Sequence, residues 1–504
     1  MTSVEGAPPV AAGEGAVPRR SLLGLGLGSA LAIAAQRSAA AQSTAPHVQP
    51  RGSSEIGFLL SRITNGFDPV LFARAHALGY AAFLEEQLHP ETIIDVRGDL
   101  IVAQFTTITA TTHANYVGHY LQGRAELLRN ELRTSTILRA AYSSRQLHER
   151  MVEFWTDHFN IDHNDSMNAA LKTTDDREVI RKHALGNFSQ LLGASARSAS
   201  MGFYLGNYRN IAGSPNENYG REIMELHTLG VGNYTEADVK AVARCFTGWG
   251  FKEVTSGDFG AFLFRPQYHD NNPKVVLGHS LPAGGGLLDG EFVVRLLAQH
   301  PVTADHLALK LCRFFLSYDP PAEVVRRVAQ AYMETNGDIK SMLRVVFALS
   351  SIALVPQATR PKYKRPFHLL TSILRPLKFQ MTAPEQLSEA LGKLGHQPFR
   401  WPTPNGYPDK LDLWASGEQA RWAFASDLFG NAIPGISFDP ATVFAGVPQS
   451  EIASTANLRL TGGALSPSDL AALQTFVSAY PAVTDALLRD VMVLTVSSPS
   501  FQLY

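Results

Sequence analysis

From Ile56 onward, apolar residues recur mostly at helical spacing, and no other feature restricts the fold of this chain as tightly. The stretches "LFARAHALGYAAFLEEQL", "RQLHERMVEFWTDHF", "YTEADVKAVARCFTGW" and "TADHLALKLCRFFL" each carry an apolar stripe with a period of about 3.6 residues. Thr235 with Asp238, and Thr303 ahead of its helix, supply N-cap signals. The strand candidates are "AFLFRPQ" and "KVVLG"; they flank "YHDNNP" and read together as one small hairpin. "LPAGGGLLDG" reads as a flexible connection, because no Lys-Ser/Thr follows to complete a phosphate cradle. After Pro398, "FRWPTPNGYPDKLDLW" is too rich in Pro and Gly for regular structure, yet it holds two Trp and a Tyr. Trp401, Tyr407 and Trp414 can stack on a sugar or plug an ordered loop onto helices, and the second reading is favoured. The expected fold is mainly α: one large helical domain, or two fused helical lobes, over residues 55–504. One small β-hairpin and an ordered Pro/Gly-rich loop near residue 400 complete it.

The N-terminus reads as an address. Arg19 and Arg20 precede a short, Gly-diluted apolar run from Leu22 to Ala35, and Ala39-Ala40-Ala41 offers small residues at the processing positions. This pattern predicts a twin-arginine signal peptide over 1–41, followed by a polar linker at 42–54. An ordinary Sec signal with a chance Arg pair is the alternative. The mature chain is then exported to the periplasm or beyond by the folded-protein route, which often serves proteins loaded with a cofactor beforehand. No later stretch approaches the roughly 20 apolar residues that span a bilayer, so no transmembrane segment is expected after signal removal. Signal loss removes three arginines against two glutamates, moving the net charge from −1 to −2. Nothing in that near-neutral balance suggests a nucleic-acid surface or a polybasic membrane stripe, and no nucleic-acid partner is expected. Cys245 and Cys312 can form one disulfide or remain buried thiols, and two cysteines exclude a Cys-rich zinc site.

Within "NENYGREIMELHTLG" (216–230), Tyr219, Ile223, Leu226 and Leu229 share one face of a continuous helix, and Glu222 projects into its middle. A buried carboxylate needs a counter-charge, a metal or a proton donor. In "LHERMVEFWTDHF", Leu147, Met151, Phe154 and Trp155 define an apolar face that also contains His158. His269 and Asp270, carried on the hairpin turn, are natural further ligands or catalytic groups, and Glu225 adds oxygens near Glu222.

Several stretches together resemble the family called domain of unknown function 1800, large exported bacterial proteins. They are "ERMVEFWTDHFN" (149–160), "PNENYGREIMELHTLGVGNYTEADVKAVARCFTGW" (215–249), "HDNNPKVVLG" (269–278), "FRWPTPNGYP" (399–408) and "SSPSFQL" (497–503). They follow the family's order across nearly the whole mature chain. Gly220 stands where alanine is more usual, a departure expected to cost only a little helix propensity. The resemblance implies a mostly helical exported protein and supplies no activity.

Function is therefore read from the residues. The first reading is a metal-assisted hydrolase or oxidase acting on an envelope or extracellular substrate. Its catalytic groups are Glu222, His158, His269 and Asp270, and a divalent metal ion is held by His158, Glu222 and Glu225. Glu222 is expected to face His158 or that metal rather than Arg221 or Arg244. The second reading is a non-catalytic envelope or assembly protein whose polar motifs fix helix packing. Sharper motifs fail on spacing. "HERMV" has Val152 where a zincin needs its second His. "DHNDSMNAALKT" has Met167 and Thr173 where a calcium loop needs Gly and Glu. No G-x-S-x-G elbow follows the signal, and the paired Glu-x-x-His units of di-iron bundles are missing.

Overall fold

The computed structural model describes residues 55–504. The expected signal peptide at 1–41 and linker at 42–54 lie outside the described residues. Helices dominate, as the periodicity predicts. The described residues form one compact unit with two large apolar clusters. One gathers Leu147, Met151, Phe154, Trp155, Ile223, Val242 and Leu311. The other gathers Ile137, Leu370, Phe424, Leu428 and Val491. No helix among the described residues is long and apolar enough to cross a membrane.

The helices that build the functional region are α1 (Gln146–His158), α2 (Glu217–Glu225), α3 (Glu236–Cys245), α4 (Leu287–Ala298) and α5 (Pro301–Phe315). Thr235 and Asp238 start α3 with a reciprocal capping box, as expected. Thr303 does not cap α5. His300 takes that place ahead of Pro301, whose missing N–H costs nothing in a first turn. Thr303 instead donates its hydroxyl to the Leu297 carbonyl at 2.7 Å.

The expected hairpin needs correction. Among the described residues, six short strands make three two-stranded antiparallel sheets: β1 (Trp249–Phe251) with β2 (Phe262–Phe264), β3 (Lys274–Val276) with β4 (His279–Leu281), and β5 (Phe379–Met381) with β6 (Ile436–Phe438). Both predicted strands exist, as β2 and β3, but they pair with other partners. Arg244 and Thr247 at the end of α3 capture Asp270, which draws "YHDNNP" away from any turn between them. β3 closes on β4 through Leu277 and Gly278, both at positive φ (47° and 79°), the geometry of a two-residue hairpin turn. The strain of a leucine there is offset locally: the Leu277 N–H donates to the Asp238 carboxylate at 2.7 Å.

Gly220 is more than a helix-propensity departure. A Cβ there would stand 2.9 Å from the Val239 carbonyl oxygen and 3.0 Å from the Ala243 nitrogen. Both are backbone atoms of α3, so glycine is what lets α2 and α3 pack this closely.

Candidate functional site

α2 ends at Glu225, and this early end changes the fate of Glu222. Leu226 and Leu229, the residues that flank Glu222 on an extended helix, belong to the turn that follows. The buried face of α2 is Tyr219, Gly220, Ile223 and Met224, and Glu222 sits half-buried beside it. It makes no side-chain hydrogen bond or ion pair among the described residues. Partial desolvation and the neighbouring Glu225 raise its carboxyl above the ordinary range. Glu225 accepts from the Tyr234 hydroxyl, and Arg221 pairs with Glu236 at 2.8 Å. The expected bond between Glu222 and His158 is not formed.

His158, the last residue of α1, is fully buried and meets the turn after α2 instead. Its Nε2 lies 3.1 Å from the His227 carbonyl oxygen, and its Nδ1 lies 2.8 Å from Lys310 Nζ. A carbonyl only accepts, so Nε2 carries the proton and Nδ1 offers its lone pair to the lysine. Burial, then the Lys310 charge, keeps this imidazole well below its usual pKa. The His227 and His306 rings stand 6.0 and 6.4 Å from it. Burial first and Lys310 second push them down to about 3 and about 4. The expected metal ligands do not fit. Both nitrogens of His158 are engaged, and Lys310 places its own cation among three imidazoles. Among the described residues, no group of three or more His, Cys, Asp or Glu is arranged to hold a metal.

His269 and Asp270 are structurally absorbed. Asp270 forms a two-pronged pair with Arg244, at 2.6 and 3.2 Å, and is held well below the usual carboxylate range, chiefly by that bond. His269 is buried, with Nδ1 2.8 Å from the Thr247 carbonyl and Nε2 3.1 Å from Asp289 Oδ2. Lys274 closes the group, 2.7 Å from the same Asp289 oxygen. Cys245 and Cys312 remain free, and burial pushes each thiol up to about 12.

What the fold does expose is Lys310, which sequence reasoning missed. α5 buries Leu307, Ala308, Leu311 and Phe315 and leaves His306, Lys310 and Arg313 as a stripe along its edge. Lys310 and Arg313 line a cleft of about 520 Å³, floored by the end of α1 and walled by the Pro/Gly-rich loop. Burial lowers Lys310 to about 8, resisted by the attraction of Asp157. Among the described residues, no carboxylate stands within ion-pair distance of its nitrogen. Asp157, beside His158 in sequence, lines the same cleft and is bound by Arg365 at 2.6 Å. Burial outweighs Arg365 and pushes its carboxyl up to about 6. Arg365 also pairs with Glu153. Across the cleft, Asp409 is held by the buried Lys362 at 2.7 Å.

The wall is tied down by α1 and its exit. Asn160 donates to the carbonyls of Trp401 and Thr403, both at 2.8 Å, and the His163 N–H donates to the Phe399 carbonyl at 2.8 Å. Gly406, at φ +71°, lies so close to the Asp157 carbonyl that a Cβ would overlap it. Tyr407 and Trp414 are buried around His396, the plugging role favoured from the sequence. The signals for Lys310 were a lysine one turn after His306 and an acid directly before His158.

A family model described as protein of unknown function (DUF1800) matches residues 58–503. No curated protein matches the chain. No solved structure matches it.

Proposed function

We propose, for a chain that belongs to the DUF1800 family and takes no activity from it, an enzymatic reading of this cleft: general acid–base hydrolysis of an envelope or extracellular substrate. In this reading Lys310 is the base, Asp157 the acid, and His158 the residue that positions the amine. The observation that carries it is the Lys310 amine, open to a cleft, hydrogen-bonded to a neutral imidazole and paired with no carboxylate. An ammonium in that setting gives up its proton near neutral pH, where a catalytic base is useful. Asp157, shifted the opposite way, is partly protonated in the same pH range. His158 cannot serve as the base itself, since its free nitrogen already accepts from Lys310. No step is routed through a metal, because His158, Glu222 and Glu225 do not converge on one.

Export belongs to the same proposal. The Arg19–Arg20 pair supports passage through the folded-protein translocase, and replacing both with Lys should leave precursor in the cytoplasm. Normal export of that variant would remove the twin-arginine reading.

The enzymatic reading is tested by competitive acylation of the purified protein across pH 5–11, with Lys310 followed by mass spectrometry. An apparent pKa near 8 for Lys310 is expected, and a value near 10.5 overturns the assignment. In parallel, ester, amide, phosphoester and glycoside substrates are screened. Turnover should show limbs near pH 6 and pH 8 and fall at least about a hundredfold in Lys310→Met.

The non-catalytic reading draws its support from Asp270 and His269, both consumed by structural contacts. It takes over if Lys310 titrates normally and no substrate class turns over.

A further inference from the structure

The cleft holds more positive charge than its own carboxylates answer. Asp157 is bound by Arg365 and Asp409 by Lys362, so each of those carboxylates already has its cation. Lys310, Arg313 and Lys410 line the same cleft, and none of them has a carboxylate partner among the described residues; the remaining acid is the exposed Asp412. Arg313 follows Lys310 by three residues on α5, so the two cations project from one edge of the helix. An exposed guanidinium left without a partner keeps its planar fork free for a carboxylate or phosphate. Phe154, Phe314, Tyr318 and Tyr407 line the same cleft and supply apolar and aromatic wall. The volume, about 520 Å³, suits a small molecule rather than a bare ion.

We propose that the cleft binds an acidic small molecule with an apolar or ring-shaped body, its carboxylate or phosphate group seated between Lys310 and Arg313 and its body against Phe314 and Tyr407. The proposal rests on the enzymatic reading for its use of Lys310, and it names the class of substrate that this site accepts. Lys310 serves both roles only in sequence: as the ammonium it attracts the anion, and after proton loss to solvent it acts as the base. Arg313 holds its charge throughout.

The test is isothermal titration calorimetry on the full chain after export, at pH 6.5 and low salt, with four probes: phenyl phosphate, benzoate, inorganic phosphate and benzyl alcohol. Phenyl phosphate or benzoate should bind at least about tenfold more tightly than benzyl alcohol and than inorganic phosphate. Which of the two aryl anions is preferred decides between a phosphate-bearing and a carboxylate-bearing ligand. Arg313→Gln should weaken binding of the preferred anion at least tenfold. Because Arg313 is exposed, this variant should fold normally, and an unchanged melting temperature verifies it. Equal binding of benzyl alcohol, or unchanged affinity in Arg313→Gln, overturns the proposal. Inorganic phosphate binding as tightly as phenyl phosphate overturns the role of the aromatic wall. The two readings fail separately. Loss of anion binding in Arg313→Gln with a normal Lys310 pKa upholds this proposal and removes the base. A lowered Lys310 pKa without anion binding does the reverse.

Discussion

Two buried histidines in this protein each lie next to a lysine, and they have opposite fates. At His269, the Asp289 carboxylate stands between imidazole and lysine, 3.1 Å from one and 2.7 Å from the other. All three side chains are sealed from solvent, and the Lys274 ammonium is answered where it lies. At His158, Lys310 is 2.8 Å away with no carboxylate between them, and the group opens onto a cleft. The first arrangement spends its charge on holding β3 to α4. The second leaves an amine whose charge is poorly supported, which is the condition for reactivity. The same two residue types thus make a structural clamp or a candidate base, and the intervening carboxylate decides which.

The strongest way to break this contrast is Asp289→Asn. It leaves Lys274 buried without its counter-charge and should cost on the order of 3–5 kcal/mol in chemical denaturation. A loss below about 1 kcal/mol would show that the cluster is not a clamp. Gly406→Ala should come next, at about 2–4 kcal/mol, from a strained left-handed alanine and its overlap with the Asp157 carbonyl. It displaces the wall of the cleft while leaving the Asp289 cluster alone. Lys310 labelling should therefore drift towards pH 10.5 in that variant, and an unmoved pKa would mean the wall does not shield the amine.

Lys310→Met sharpens the contrast through pH. The folded pKa of Lys310 lies below its unfolded value, so the fold disfavours the ammonium. That penalty is complete below about pH 8 and is relieved as pH rises towards 10.5. Lys310→Met should be equal to or more stable than the parent at pH 7, by on the order of 1–3 kcal/mol at most. The advantage should shrink between pH 8 and 10.5. A destabilised variant at pH 7 would mean that Lys310 is clamped like Lys274. The smallest effect belongs to Glu222→Gln. With no ion pair to break, it should shift stability by no more than about 0.5 kcal/mol and leave metal content unchanged, as melts with parallel metal analysis would register.

Much of the architecture was legible in the chain. The helical period, the Thr235–Asp238 capping box and the packed aromatics near residue 400 are local signals, carried by residues a few positions apart. The hairpin was misread because the capture of Asp270 by Arg244 is not local: β2 and β3 were recognisable, but β2 pairs back with β1, and β3 turns onto β4 through Leu277 and Gly278. Glu222 was misread for a related reason. Its place on a buried face assumed a helix running on to Leu229, and the chain turns at Leu226.

The candidate site divides along the same line. The sequence by itself determined a helical fold, the burial of His158 and the presence of the polar residues His269 and Asp270 within "YHDNNP". It had no means of pairing His158 with Lys310, 152 residues away, or of placing Asp289 beside His269 while leaving Lys310 without an acid. Helix periodicity records which side chains turn inward. Whether an inward charge meets its opposite depends on distances between helices far apart in the chain, and that only the tertiary structure decided.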